Sequence, residues 1–428
     1  MRINSEPIIN VGIMSGREIH ATLSGRFTFE GETITGDIEL SGSSDGTSAV
    51  TFRGKRYDAL EFTPEDPAHC SFGLHDVTIG IGFHWERRES QKFRGSLSVI
   101  PDAENPGKII AINRIGLEEY LKSVISSEMS ATASPALLRA HAVVSRSWLM
   151  RQLLDRGKHT TAETATTTTT RLPDGREVEE IVKWYDREDH TQFDVCADDH
   201  CQRYQGITRQ TRPEVSEAVE QTRGETLTYD DEVCDARFSK CCGGVTERFE
   251  NCWEPAPKHY LTHISDTDTD GTPFCDTDDP DILGQVLNNY DRETIDFFRW
   301  ETRYTTTELS ALISRRSATD FGEITTLKPL EVTPSGRIIR LLIEGTKKSM
   351  IVGKELEIRR RLSESHLRSS AFEVIRSPEG DFILRGRGWG HGVGMCQIGA
   401  AVMGARGYSY REILHHYFPS ATITTLYP

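Results

Sequence analysis

The sequence predicts an α+β protein: a β-rich scaffold with a few helices, a zinc-stapled loop and a Gly-rich C-terminal segment. Three observations carry this. Short, glycine-punctuated stretches rich in β-branched residues fill positions 1–115. From Leu117 the apolar residues switch to helical spacing. Strand-like runs then return after Ile324 without the regular strand–helix alternation of a doubly wound sheet.

At about 150 residues per domain, a chain of 428 residues makes two to three compact units or one large domain with insertions. A mean hydropathy of -0.47 with 27% charged residues places it among globular chains. No apolar run approaches the roughly 20 residues that a membrane-spanning helix needs. The net charge of -15 repels phosphate backbones, so nucleic acid is a poor candidate partner. Arg2 is not followed by a continuous apolar stretch, so no export signal is visible in this chain. Nine cysteines cannot all pair within one chain, and some thiols must be free or metal-bound.

Taken in order, Gly31, Gly36, Gly42 and Gly46 separate strand candidates at 33–40 and 49–52, and the apolar run KIIAI at 108–112 fits a buried strand. Leu117, Leu121, Val124 and Ile125 mark a first helix. Ser134 followed by Pro135 is an N-cap with proline at the first helical position, and Gly157 is the stop of a second helix. Leu137, Ala140, His141, Val144 and Trp148 form its core-facing stripe. The Thr-rich stretch 160–170, followed by Pro173, Asp174 and Gly175, reads as an exposed loop or strand edge. Residues 306–314 look helical with Thr306 or Thr307 as cap. Strands return over 324–357 with a turn at Ser335 and Gly336. A final helix lies near 410–417. The division expected is a β-rich N-terminal part, 1–108, and a larger region, 109–428, with insertions near 158–185 and 262–320.

Four groups of residues bear on chemistry. His190, Cys196, His200 and Cys201 offer two imidazoles and two thiolates within a dozen positions, the donor set of tetrahedral zinc. With four protein ligands no position stays open for water, so such a site is structural. Glu128 follows the first helix and reads from its position alone as an ordinary solvated loop Glu; the alternative is a general acid, because the negative end of the macrodipole favours a protonated carboxyl. Asp266, Asp268, Asp270 and Gly271 imitate the start of a calcium loop, but Thr277 stands where a bidentate Glu belongs, so a solvated acidic loop is the better reading. Glycines at 386, 388, 390, 392 and 394 permit close approach either to a ligand or to another strand, and Trp389 among them offers a face on which a sugar can stack.

Several ordered blocks resemble the SpoIID/LytB family. LEEYL at 117–121 leading to Glu128 and Met129 is similar to the family's entry motif, with Ser130 in place of the usual Pro. LRAHAVVSRSW at 138–148 resembles its next helix, and 193–206 its zinc loop. TRGE at 222–225, FS at 238–239 with GGVT at 243–246, and GWGHGVGMCQ at 388–397 follow in the family's order. The resemblance implies a peptidoglycan lytic transglycosylase acting on peptide-free glycan strands in the cell envelope. It implies Glu128 as single acid/base, Arg146 as an arginine needed for activity, and zinc on His190, Cys196, His200 and Cys201. Within the matched blocks the candidate substrate-binding residues are Ser239, Lys240, Gly243, Gly244, Trp389, His391 and Gln397. Lys240, Cys241 and Cys242 depart from the small polar residues usual before the paired glycines.

One carboxylate suffices when the substrate's own C6 hydroxyl is the nucleophile, whereas ordinary glycosidases need two. A cation very close to Glu128 would weaken it as an acid, so Arg146 is expected to position the glycan. The alternative is a non-catalytic glycan-binding module that recruits or enhances a cell-wall amidase. A third reading, a zinc hydrolase, requires water to displace one ligand.

Overall fold

The computed structural model of the chain describes all residues except 1, 44–47, 81–85, 131–132, 157–164, 186–189, 199, 210–212 and 287–295. It has helices and several separate β-sheets, the α+β class. The chain divides into two compact units, 1–156 with 189–226 and 424–428, and 157–188 with 227–423.

In the first unit, strand Ile8–Gly16 pairs antiparallel with Ile109–Gly116, Ile8 opposite Gly116 and Gly16 opposite Ile109. The strands before 108 and the helices after it therefore belong to one body. The sheet continues from Ile109–Gly116 through Ser96–Pro101 and Leu60–Pro64 to Glu18–Phe29. Residues 109–113 of strand Ile109–Gly116 are buried in succession, so both of its faces are covered, and Phe29, Phe52 and Phe62 meet at centroid distances of 5.2–5.7 Å.

Helix α1, Leu117–Glu128, starts where strand Ile109–Gly116 ends and buries Leu117, Tyr120, Leu121, Val124 and Ile125, one stripe at i, i+3, i+4 spacing. Helix α2, Pro135–Asp155, starts as predicted: Ser134 Oγ accepts the Leu137 N–H at 3.2 Å. All five residues of its predicted stripe are buried, but so are Leu138, Ala142, Val143 and Arg146, so α2 is buried nearly all round. Its expected stop, Gly157, lies outside the described residues. Helix α3, Pro213–Gln221, packs on α1 and α2.

The second unit holds a five-stranded sheet in the order Ala165–Arg171, Glu177–Lys183, Ser349–Gly353, Ile338–Gly345, Ile324–Val332. The Thr-rich stretch is thus a strand edge from 165, and its start lies outside the described residues. Helix Thr306–Ser317 covers the sheet with Leu309 and Ile313, against Phe321, Ile343 and Ile358. Its cap is Thr305, one residue before the predicted positions, because the box needs Glu308 three residues on. The strand run ends at Gly353, not 357, since Glu355 already opens helix Glu355–Arg361. Helix Tyr410–Tyr417 matches its prediction and carries a Ser409–Glu412 capping box. Among the described residues no helix is long and apolar enough to cross a membrane.

Candidate metal centre and active-site residues

The metal loop hangs on the first unit's sheet. Val195 and Cys196 pair in parallel with Val11 and Gly12. Asp194 Oδ2 accepts from the Asn10 backbone N–H at 2.8 Å and from its side-chain amide at 2.9 Å. A Cβ on Gly12 would meet the Phe193 ring at 2.7 Å, so glycine lets the loop lie against the strand.

The ligand atoms of His190, Cys196, His200 and Cys201 lie within 4.8 Å of one another. Cys201 Sγ is 3.4 Å from His190 Nε2 and 3.5 Å from His200 Nδ1, and Cys196 Sγ is 3.9 Å from His200 Nδ1. Bonds of 2.0–2.3 Å to a tetrahedral zinc give donor–donor edges of about 3.3–3.8 Å, so these four residues fit a closed zinc shell. The cluster lowers the Cys196 thiol, Cys201 acting first and His190 and His200 adding to it against the effect of burial.

Glu128 is the last residue of α1, inside the helix and not after it, and is half-buried. Its Oε1 accepts the Arg203 N–H at 3.0 Å. Arg203 stands two residues past Cys201, in a segment stitched to both helices. Gln202 Nε2 donates to Ser145 O at 3.3 Å, and the Gln205 N–H donates to Ser123 Oγ at 3.2 Å. Tyr204 stacks on Tyr120 at 4.9 Å and donates its hydroxyl to Asn113 Oδ1 at 2.6 Å. The loop that carries the four donors therefore also holds the carboxylate.

Arg146 is fully buried. Nε donates to Glu118 Oε1 at 3.0 Å and a terminal nitrogen donates to Oε2 at 2.6 Å, while the other reaches Glu225 O at 3.0 Å. Glu118 also accepts from the Tyr427 hydroxyl at 2.6 Å and the Gly224 N–H at 3.2 Å. Burial pushes the Glu118 carboxyl up, yet Arg146, with Tyr427 and Gly224, holds it below the usual carboxylate range. This geometry corrects the glycan-positioning role expected of Arg146, because no face of the guanidinium is left for a ligand. Sequence reading missed Glu118 and Tyr427. The leading LE of the LEEYL block was the available signal for Glu118, and Tyr427 had none.

The other substrate-binding candidates belong to the second unit. Ser239, Gly243, Gly244 and Gln397 are buried, whereas Lys240, Trp389 and His391 are half-buried. Lys240 Nζ donates to Val286 O at 2.5 Å. The alternating glycines serve close packing. A Cβ on Gly386 would fall 2.2 Å from the Trp300 ring, and one on Gly394 would fall 2.1 Å from Arg237 O. Gly392, at φ +74, makes room for the guanidinium of Arg337, a buried residue that sequence reading missed. Arg337 donates to Cys242 O and Gly390 O, both at 3.0 Å, and so ties the two glycine blocks together.

Trp389 lies 5.0 Å from the Phe297 ring, with the Arg368 guanidinium 5.6 Å from its own centroid. His391 packs edge-on against Trp253 at 5.2 Å. Burial, with Arg237, Arg337 and Arg359 nearby, pushes its imidazole well below the usual value, so it is neutral near pH 7. The acidic loop needs correction as well. Asp268 is held by the Asp270 and Thr272 N–H groups and by Arg406, but Asp266 turns inward and is fully buried.

Residues 105–229, which contain α1, α2 and the metal loop, match the family model described as stage II sporulation protein. Over these residues the chain is similar to the SpoIID family. It is 26% identical over 315 residues to stage II sporulation protein D of Bacillus amyloliquefaciens, covering 73% of this chain and 76% of that protein. The Bacillus subtilis (strain 168) protein of the same name is 25% identical over 318 residues, with 73% and 76% covered. The chain is also 24% identical over 336 residues to the amidase enhancer of B. subtilis, covering 71% of this chain and 40% of that protein. Residues 247–394 match a second model, described as a domain of unknown function (DUF8618).

Proposed function

We propose that this protein is a lytic transglycosylase that cleaves peptide-free peptidoglycan strands in the cell envelope, with Glu128 as its single acid/base. The observation that carries the reading is the placement of Glu128. A half-buried carboxylate at the end of α1 is fixed by a backbone N–H of the loop that bears the metal ligands. The match of residues 105–229 to the stage II sporulation protein model and the similarity to an amidase enhancer support a cell-wall role.

In this mechanism the Glu128 carboxylic acid protonates the glycosidic oxygen as the bond to the leaving sugar breaks. The resulting carboxylate then takes the proton of the C6 hydroxyl, whose oxygen closes the 1,6-anhydro ring. No water and no second carboxylate enter, in contrast to two-carboxylate glycosidases. Zinc on His190, Cys196, His200 and Cys201 supplies structure by fixing the loop. Arg146 braces α2 against α1 through Glu118. Trp389 and His391, two half-buried side chains of the glycine segment, are the proposed sugar contacts of the second unit.

The second reading, a glycan-binding module that assists a cell-wall amidase, draws on the amidase enhancer similarity. Incubating the purified protein with peptide-free glycan separates the two. Anhydro-muramyl products support the transglycosylase. New reducing ends mean a hydrolase, and retention of glycan without products means a binding module.

A further inference from the structure

The second unit contains a cluster that neither the SpoIID match nor the proposed mechanism uses. Cys242, Asp266, Cys275 and Cys396 come from three separate segments, yet their ligand atoms lie within 4.8 Å of one another. All four are buried, with Asp266 and Cys396 at 0% exposure. Cys242 Sγ is 3.1 Å from Asp266 Oδ2 and 3.6 Å from Cys275 Sγ. The sulfur–sulfur separation is far longer than the roughly 2.05 Å of a disulfide. It is close to the edge of about 3.8 Å that two thiolates share on a tetrahedral zinc.

The surroundings are built for negative charge. Tyr417 Oη and His416 Nε2 engage Asp266 Oδ1 at 2.8 and 3.1 Å, which leaves Oδ2 directed at the thiols. Such an outer partner orients a ligating carboxylate. The Cys242 and Gly399 N–H groups donate to Cys396 Sγ at 3.2 and 3.4 Å, and the Gly244 N–H donates to Cys242 Sγ at 3.3 Å. Cys396 is the N-cap of helix Gln397–Ala405, whose positive end favours a thiolate. A Cβ on Gly399 would lie 2.3 Å from Tyr417 Oη and 2.6 Å from Asp266 Oδ2, so this helix closes on the cluster only with glycine there. Three thiols and a carboxylate buried together are stable when a cation balances them. Thiolate-rich tetrahedral sets select zinc among the common divalent ions.

We propose that Cys242, Cys275, Cys396 and Asp266 form a second metal centre, a closed structural zinc site independent of the His/Cys loop. It clips the 242–244 turn and the start of helix Gln397–Ala405 to the 266–275 loop. It also explains Cys242, part of the sequence's departure from the small polar residues of its relatives. Its four ligands leave no position for water, so its role is to shape this segment and not to activate a nucleophile.

The test is metal content of the full chain purified without chelator, read by elemental analysis, together with intact mass under denaturing, non-reducing conditions. The wild type is expected to hold about two zinc per chain, one for each closed four-ligand site. Cys196→Ser combined with Cys201→Ser empties the loop and keeps the second zinc, while Cys275→Ser keeps only the loop's. The wild-type count does not depend on either variant folding. A wild-type count near one that Cys275→Ser leaves unchanged overturns the proposal. So does a chain lighter by two hydrogens with Cys242 and Cys275 linked in a peptide map. Iron with acid-labile sulfide in place of zinc overturns it too.

Discussion

Arg146→Met is expected to destabilise the first unit severely without touching the proposed chemistry. Methionine keeps most of the aliphatic stem but removes both donors to Glu118, at 3.0 and 2.6 Å, and the contact to Glu225 O. Glu118, 2% exposed, is left with the Tyr427 hydroxyl and the Gly224 N–H. Because neither partner reaches solvent, screening does not soften the loss. Removing one member of such a pair costs about 3–5 kcal/mol. In a unit of some 150–250 residues each kcal/mol moves Tm by about 2–4 °C, so a fall of about 6–20 °C is expected. Adding Glu118→Gln removes the stranded charge while keeping acceptors for Tyr427 and Gly224, and it should recover part of that fall. The assay is thermal unfolding by circular dichroism at neutral pH, paired with glycan cleavage well below the lowest Tm. A single variant as stable as wild type refutes the brace. A double variant that is folded but inactive shows that Arg146 acts on the reaction itself.

Further outcomes follow from the same contacts. Glu128→Gln should lose about 10²–10⁴-fold in cleavage rate, with Tm nearly unchanged because the amide oxygen can still accept the Arg203 N–H. Cleavage retained by that variant removes Glu128 from the mechanism. The Glu118 carboxyl is held below its unfolded value of about 4.3, so its contribution is complete above that pH and is lost as pH falls through the folded value. The Tm gap between wild type and Arg146→Met should therefore be widest at neutral pH and shrink below about pH 4. A gap that grows on acidification contradicts this sign. Stripping metal from the 190–201 loop with chelator should speed hydrogen exchange across 195–206 and lower cleavage, and zinc should restore both. Gly392→Ala forces a side chain onto φ +74 and a Cβ within 2.4 Å of the Arg337 guanidinium. A loss of at least about 1–3 kcal/mol is expected from denaturant unfolding.

What was written in contiguous residues was legible in the sequence. The Ser134–Pro135 start of α2, the final helix near 410–417 and the four donors between 190 and 201 each lie within one short stretch, so local hydrogen bonding and donor chemistry define them. The same local rules left open the exact cap of helix Thr306–Ser317, where neighbouring threonines compete and only Thr305 stands three residues before Glu308.

The tertiary structure decided the partners of buried polar groups. Arg146 reads as a ligand-binding arginine until Glu118, 28 positions away, and the Tyr427 hydroxyl, 309 positions from Glu118, close around it. Asp266 reads as part of a solvated acidic loop until Cys242, Tyr417 and His416 surround it. The alternating glycines suit a ligand or a strand equally until Trp300, Arg337 and Arg237 occupy the space a Cβ would need. In each case residue type sets what a group requires, a counter-charge, a donor or room. Which distant residue meets that requirement depends on packing, because an unpaired buried charge is far more costly than the order needed to bring its partner there.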